Sequence, residues 1–119
     1  MRSIVRCIYE HSRNHPEKTA IIATDDAVDY SVLWNLITGV CHHLKSAGIG
    51  VGDRVILEAG HTVEFLACCY GIHLCGALHV PVENGAPEQR IREIAAEIQP
   101  ALILTGAHPM ESLGTSYAA

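Results

Sequence analysis

The segment at residues 52–82 constrains the fold more than any other part of the sequence. Its short apolar run at 55–57, bounded by turn residues, predicts a strand that is buried on both faces. A helical apolar pattern follows at 62–75, and residues 78–80 predict a second strand that Pro81 closes. A strand, a crossover helix and a parallel strand form a right-handed unit almost without exception, so we expect a parallel sheet here.

The helix predicted at 62–75 has almost no polar face. Thr62 is placed to cap its first turn and Glu64 lies near the positive end of its dipole, but most other positions are apolar. A helix that lies on a sheet at a protein surface shows one apolar stripe, so this helix needs cover on two sides. Three sources of that cover remain open: a neighbouring helix, a second copy of the chain in a homodimer, or the remainder of a larger parent protein.

Apolar spacing and turn residues predict the other elements. In chain order they are a helix at 3–13, a hairpin with strands at 19–23 and 28–30 around a turn at 24–26, a helix at 32–44 with Ser31 as N-cap, a helix from Pro87 at its first position to about residue 98, and a strand at 101–105. We expect an α/β fold with a parallel core sheet, flanking helices and an N-terminal β-hairpin. Residues 1–106 form one domain in this prediction, and residues 107–119 form a tail or a truncated continuation.

Charge and composition exclude several classes of partner. The 119 residues carry a formal net charge of −5, with eight Lys and Arg residues scattered singly. Nucleic acids and anionic membranes are bound by clustered positive charge, so we expect neither as a partner. No apolar run reaches the roughly 18 residues of a membrane span. The first residues lack the apolar core of a signal peptide, and we expect a cytoplasmic protein.

Two patterns resemble functional motifs but have simpler structural explanations. The glycine-rich segment 48–52 follows a helix and precedes a strand, whereas a nucleotide-binding loop follows a strand and opens a helix, so we interpret it as a helix stop and a turn. Cys69, His73 and His79, with Cys75 as a fourth candidate, lack a recognisable zinc-ligand spacing. We interpret them as core residues and the five cysteines as reduced thiols, and we expect no metal site.

His61 is the best-placed candidate for a cofactor-binding residue. The turn that contains it follows a strand and opens a helix at the carboxyl edge of the sheet, where ligands bind in open α/β folds. Its imidazole suits ligand contact or acid–base chemistry, and a partly exposed turn histidine is the simpler alternative. Neither Ser31 nor Ser46 lies in a nucleophile elbow, and Asp25 with its acidic neighbour suits a hairpin turn. We therefore predict no catalytic residue.

Five segments also match a pattern of known motifs in order and spacing. They are HPEKTAII at 15–22, DYSVL at 29–33, AGIGVGDRV at 47–55, HTVEF at 61–65 and CGALHVPV at 75–82. Together they resemble the N-terminal part of the adenylate-forming superfamily, which includes acyl-CoA synthetases, aryl-CoA ligases, luciferases and peptide-synthetase adenylation domains. Two positions depart from the family pattern: Val32 stands where Glu is commoner, and His61 stands where Asn is usual.

The resemblance implies a two-step reaction for the parent enzyme. ATP activates a carboxylate as an acyl-adenylate with loss of pyrophosphate, and a thiol of coenzyme A or of a carrier-bound phosphopantetheine then takes the acyl group. Mg²⁺ neutralises the phosphates in the first step. The family's phosphate loop, ribose-binding Asp and mobile Lys lie further along than this sequence, so the resemblance implies an N-terminal fragment that binds no cofactor alone and is inactive. A stand-alone binding or regulatory module on the same scaffold is the alternative.

Overall fold

The computed structural model describes residues 3–22, 27–60 and 62–105. In chain order the elements are α1 Ile4–Asn14, β1 Thr19–Ile22, β2 Ala27–Asp29, α2 Tyr30–Ser46, β3 Arg54–Glu58, α3 Val63–Leu74, β4 Leu78–Val82, α4 Glu88–Ile98 and β5 Leu102–Leu104. The predicted turn at 24–26, the candidate His61 and the predicted tail at 107–119 lie outside the described residues. The α/β fold class predicted from the sequence is confirmed.

The three strands β3, β4 and β5 form a parallel sheet in the order β4-β3-β5. Ile56 in the central strand lies opposite Val80 on one side and Ile103 on the other. Strands β1 and β2 pair antiparallel in a separate hairpin. Both the parallel unit and the N-terminal hairpin expected from the sequence are therefore present.

Helices cover both faces of the parallel sheet. Val55 and Leu57 point to the face that α3 covers, where they share an apolar cluster with Ile72. Ile56 points to the opposite face and packs in a cluster with Ile91 of α4. Because successive side chains of a strand alternate between faces, a central strand buried on both sides has a continuous apolar run, as β3 does.

Helix α2 supplies the second cover that α3 needs. Ile37 of α2 is fully buried and shares a cluster with Ala67 of α3. At Gly71 the two helices are so close that an added Cβ would meet Val40 at 2.6 Å. The neighbouring-helix alternative is thus confirmed, while Leu66 of α3 stays partly exposed and Leu74 is 37% exposed. Homodimerisation stays a prediction, which light scattering at high protein concentration tests.

The N-cap of α2 is Asp29, so the prediction of Ser31 was wrong. The Asp29 carboxylate accepts a hydrogen bond from the backbone N–H of Val32 at 2.9 Å, and its Oδ1 accepts another from the Ser31 hydroxyl at 2.8 Å. These two hydrogen bonds hold the pKa of Asp29 below its usual value, the one from Val32 contributing most. An aspartate satisfies the first-turn amides as a serine would, and the helix therefore begins two residues earlier than predicted.

Two prolines also differ from their predicted positions. Pro81 lies inside β4, which continues to Val82, because an outer strand of the described sheet needs hydrogen bonds on one side only. Pro87 is the residue before α4 and not its first helical residue; its carbonyl accepts the N–H of Ile91 at 3.2 Å. Strand β4 therefore ends two residues later than predicted, and α4 begins one residue later.

Two further sequence predictions concern the surroundings of the cysteines and the presence of membrane-spanning segments. Of the five cysteines, Cys41, Cys69 and Cys75 are buried, as the core interpretation predicts, whereas Cys7 and Cys68 are only partly buried. Of the helices in the described ranges, none has both the length and the apolar composition needed to cross a membrane.

Candidate functional site

A cleft of about 440 Å³ opens at the carboxyl ends of β3 and β5. Its lining comes from the ends of these strands, the loop after β4 and the first turns of α3: Leu57, Glu58, Ala59, Gly60, Thr62, Glu64, Phe65, Cys68, Asn84, Leu104 and Thr105. Ligands of open α/β sheets bind outside the carboxyl ends of the strands, and this volume is in the range of small-molecule sites. The edge predicted from the sequence therefore does carry a cleft.

The N-terminal turn of α3 faces this cleft, and two of its backbone N–H groups are already hydrogen-bonded. The Thr62 side chain accepts the backbone N–H of Phe65 at 3.1 Å, and the Thr62 carbonyl accepts that of Leu66 at 3.3 Å. Glu64 places a carboxylate in the same turn, at the positive end of the helix dipole. An incoming anion would meet this acidic side chain.

Among the described residues that line the cleft, both charged side chains are acidic. Glu58 and Glu64 contribute carboxylates, and the described lining includes no Lys, Arg or His. Burial, assisted by the charge of Glu64, raises the pKa of the Cys68 thiol, so this cysteine is protonated and unreactive at neutral pH. The described part of the cleft is therefore suited neither to holding a triphosphate by itself nor to nucleophilic attack.

Glu58 is the polar residue that sequence reasoning missed. It is 8% exposed at the end of β3, and its Oε2 accepts the backbone N–H of Gly85 at 2.7 Å. This contact fixes the loop between β4 and α4 against the end of the central strand. A carboxylate directly after an apolar strand run was the available signal, because such a side chain is buried with the strand and needs a partner.

Replacing Glu58 by alanine is expected to lower the free energy of unfolding by about 1–2 kcal/mol, because the Gly85 amide loses a charged acceptor. Glu58→Gln keeps an acceptor oxygen at nearly the same place and is expected to cost less. Urea denaturation of the three proteins measures the difference. Equal losses for the two variants would show that the Gly85 hydrogen bond does not account for the effect.

The glycine-rich segment 48–52 and the turn around His61 were the other candidates from the sequence. The Asp53 carboxylate accepts the N–H of Gly50 at 2.8 Å, and Gly48 has a φ of +83° at the end of α2, so segment 48–52 is the predicted helix stop and turn. This turn precedes β3 and lies at the sheet edge opposite the cleft. Gly60 and Thr62, which flank His61 in the sequence, both line the cleft. The role of His61 stays a prediction.

The structure places the cysteines and the histidines of the sequence pattern in α3 and β4 in different surroundings. Cys69 and Cys75 are buried in the apolar cluster beneath α3, as the core interpretation predicts. The core interpretation was wrong for His73, which is exposed; its Nε2 lies 2.8 Å from Nδ1 of the partly buried His79. The two histidines therefore come together without the cysteines.

Comparisons with known proteins identify the family. The sequence profile of a family described as AMP-binding enzyme matches residues 8–118. The chain belongs to the AMP-binding enzyme family. This confirms the resemblance to adenylate-forming enzymes that the five sequence segments indicated.

Individual relatives of this AMP-binding chain are much longer proteins. An L-proline–[L-prolyl-carrier protein] ligase of Pseudomonas fluorescens is 31% identical over 102 residues, which are 86% of this chain and 20% of the ligase. Tyrocidine synthase 3 of Brevibacillus parabrevis is 26% identical over 107 residues, which are 90% of this chain and 2% of the synthase. The chain thus spans one fifth or less of the length of these two relatives.

Solved structures agree with this assignment to the AMP-binding family. The inhibitor-bound N-terminal domain of FACL13 from Mycobacterium tuberculosis matches with a TM-score of 0.80 and 26% identity, covering 90% of this chain and 27% of that domain. The NpsA N-terminal subdomain of Klebsiella oxytoca matches with a TM-score of 0.76 and 20% identity, covering 88% of this chain and 28% of the other. The second likeness shows the fold alone. The sheet with helices on both faces is therefore an architecture found in N-terminal parts of such enzymes.

Proposed function

We propose that this chain is the N-terminal segment of an ATP-dependent acid–thiol ligase, similar to acyl-CoA synthetases, which acts in the cytoplasm. The observation that carries the proposal is the match of the AMP-binding family over residues 8–118. The share of the two curated relatives that the chain spans, 20% and 2%, supports a larger parent protein. In this proposal the chain supplies scaffold, and most of the catalytic groups belong to the rest of the enzyme.

The proposed reaction proceeds in two steps. A carboxylate oxygen attacks the α-phosphorus of ATP and pyrophosphate leaves; Mg²⁺, held by residues outside this chain, would offset the phosphate charge. A thiol then attacks the carbonyl carbon of the acyl-adenylate, the acyl–oxygen bond breaks and AMP leaves. Either coenzyme A or the phosphopantetheine of a carrier protein supplies this thiol, and the two acceptors have the same reactive group.

The acidic cleft at the carboxyl edge of the sheet supports a scaffold role for the isolated chain. Two carboxylates line it, and its described lining contributes no cation to offset the charge of a triphosphate. Coulombic repulsion disfavours an anion beside like charges, most strongly where water is excluded. We therefore propose that ATP binding and catalysis require residues beyond those of this chain.

The first experiment measures the endogenous protein. An antibody against helix Glu88–Ile98 captures the product from its source cells, and intact mass spectrometry is expected to give a mass several-fold above 12.9 kDa. A mass near 12.9 kDa would contradict the proposal of a larger ligase and would favour the alternative, a stand-alone binding or regulatory module.

A second experiment measures the reaction. The captured protein is expected to exchange pyrophosphate into ATP only when a suitable carboxylate is present, whereas the isolated 119-residue chain is expected to show no exchange above background. Thioester formation with coenzyme A, compared with a phosphopantetheinylated carrier protein, identifies the acceptor. Carboxylate-dependent exchange by the isolated chain would contradict the scaffold role.

A further inference from the structure

His73 and His79 bring two imidazole nitrogens together at the protein surface. His73 lies in the last turn of α3 and is exposed, while His79 lies in β4 and is partly buried. His73 Nε2 is 2.8 Å from His79 Nδ1, and the ring centroids are 4.8 Å apart with planes inclined by 49°. His73 also borders an open groove lined by residues of α1, α2 and α3, so ions in solution reach its ring.

The spacing of the two nitrogens is close to that of two ligands on one metal ion. Zinc–imidazole bonds are about 2.0–2.1 Å long, so two such nitrogens on one ion lie about 3.0–3.4 Å apart at bond angles of about 95–110°. Starting from 2.8 Å, small side-chain rotations are enough to reach that separation. The ion would replace the hydrogen bond between the two nitrogens, and the proton of that bond would move to the other ring nitrogen of its histidine, since a neutral imidazole keeps one N–H while its second nitrogen binds the metal.

The backbone on both sides of the pair is held by packing, which favours ligation. β4 is held in the sheet by β3, with His79 opposite Val55, and α3 is packed against α2. His79 is partly buried in β4, so the position of its ring is restricted by the neighbouring sheet. Neutral imidazole is the form that binds metals.

We propose that His73 and His79 bind a divalent transition-metal ion, Zn²⁺ in the first instance, which links the end of α3 to β4. Imidazole nitrogen suits Zn²⁺, Ni²⁺ and Cu²⁺, whereas Mg²⁺ prefers oxygen ligands. Within the described ranges no third His, Cys, Asp or Glu joins the pair as a ligand group, so water completes the coordination. This site is separate from the acidic cleft and does not depend on the proposed ligase activity.

Zinc titration of the untagged 119-residue chain at pH 7.5, followed by calorimetry and thermal unfolding, tests the proposal. Zn²⁺ is expected to raise Tm because it binds the folded state, and Mg²⁺ at the same concentration is expected to leave it unchanged. His73→Ala and His79→Ala are each expected to abolish zinc binding at this site or to lower its affinity at least about tenfold. Residues that only hydrogen-bond to a metal ligand already change metal affinity by about 10- to 100-fold, so loss of a ligand itself should have at least that effect.

His42→Ala is the matched control, because His42 is an exposed helix residue whose ring lies 6.5 Å from that of His43. The His42→Ala variant is expected to bind zinc at His73 and His79 as the unsubstituted chain does. Zinc ions bound at other positions are expected to remain in all three variants. Nitrogen hyperfine coupling in the electron paramagnetic resonance spectrum of the Cu²⁺-loaded unsubstituted protein is expected to report two imidazoles, independently of how the variants fold. Unchanged zinc affinity and stoichiometry in both His73→Ala and His79→Ala would overturn the proposal, as would a single-imidazole spectrum.

Discussion

Replacing Gly71 by alanine is expected to lower the free energy of unfolding by about 3 kcal/mol, because α2 and α3 touch at this residue. A Cβ at position 71 would lie 2.6 Å from both Cβ and Cγ1 of Val40 and 3.1 Å from the carbonyl oxygen of Ile37. The carbonyl belongs to the helix backbone and cannot rotate away, so the two helices must separate. Urea denaturation with a comparison of midpoints and slopes measures the loss.

Gly39→Ala is the matched control for Gly71→Ala. Gly39 also lies inside a helix, α2, but an added Cβ there meets nothing within 4 Å. This substitution is expected to stabilise the protein by about 0.5–1 kcal/mol, since alanine loses less backbone entropy than glycine in a helix. Adding Val40→Ala to Gly71→Ala is expected to recover part of the loss, because it removes the clashing Cγ1. Equal effects of the two glycine substitutions would contradict the close packing of α2 on α3.

Replacing Ile56 by alanine is expected to cost about 3–4 kcal/mol, the usual range for emptying a fully buried core position. Ile56 is 0% exposed in the central strand and packs with Ile91, Ala95 and Ile103 between the sheet and α4. Its removal leaves a cavity that neighbours on two secondary structure elements cannot easily fill. Differential scanning calorimetry and urea denaturation measure the change.

Leu78→Ala serves as the control in the same sheet. Leu78 begins β4 and is 58% exposed, so truncation removes little buried surface and is expected to change stability by less than about 0.5 kcal/mol. Comparable losses at positions 56 and 78 would mean that the sheet does not pack between α3 and α4 as described. A large loss at position 56 alone supports the central place of β3.

These stability tests also bear on the proposed role of the chain. A scaffold needs its sheet and helices to hold the edge of a site in place, and Glu58 links the end of the central strand to the Gly85 loop. The zinc proposal concerns a different place, the C-terminal end of α3. Failure of one proposal therefore leaves the other unaffected.

The sequence by itself determined the order of elements, the parallel unit and the family. The apolar run at 55–57 and the glycines that end helices are local signals, since each depends on residues adjacent along the chain. The five family segments likewise depend only on residue types and spacing. Errors in element bounds lay at element ends, such as Asp29 in place of Ser31 as N-cap, because several neighbouring polar residues satisfy the same amides. The core interpretation of His73 was also wrong, since this residue is exposed.

Only the tertiary structure decided which groups meet across the chain. It showed that α2 covers α3, that Glu58 reaches Gly85 and that His73 pairs with His79 rather than with Cys69. Periodicity places a side chain on a face of its own helix or strand, but the partner on that face depends on how elements cross and on strand register. These contacts are set by packing between distant segments, which the linear pattern does not encode.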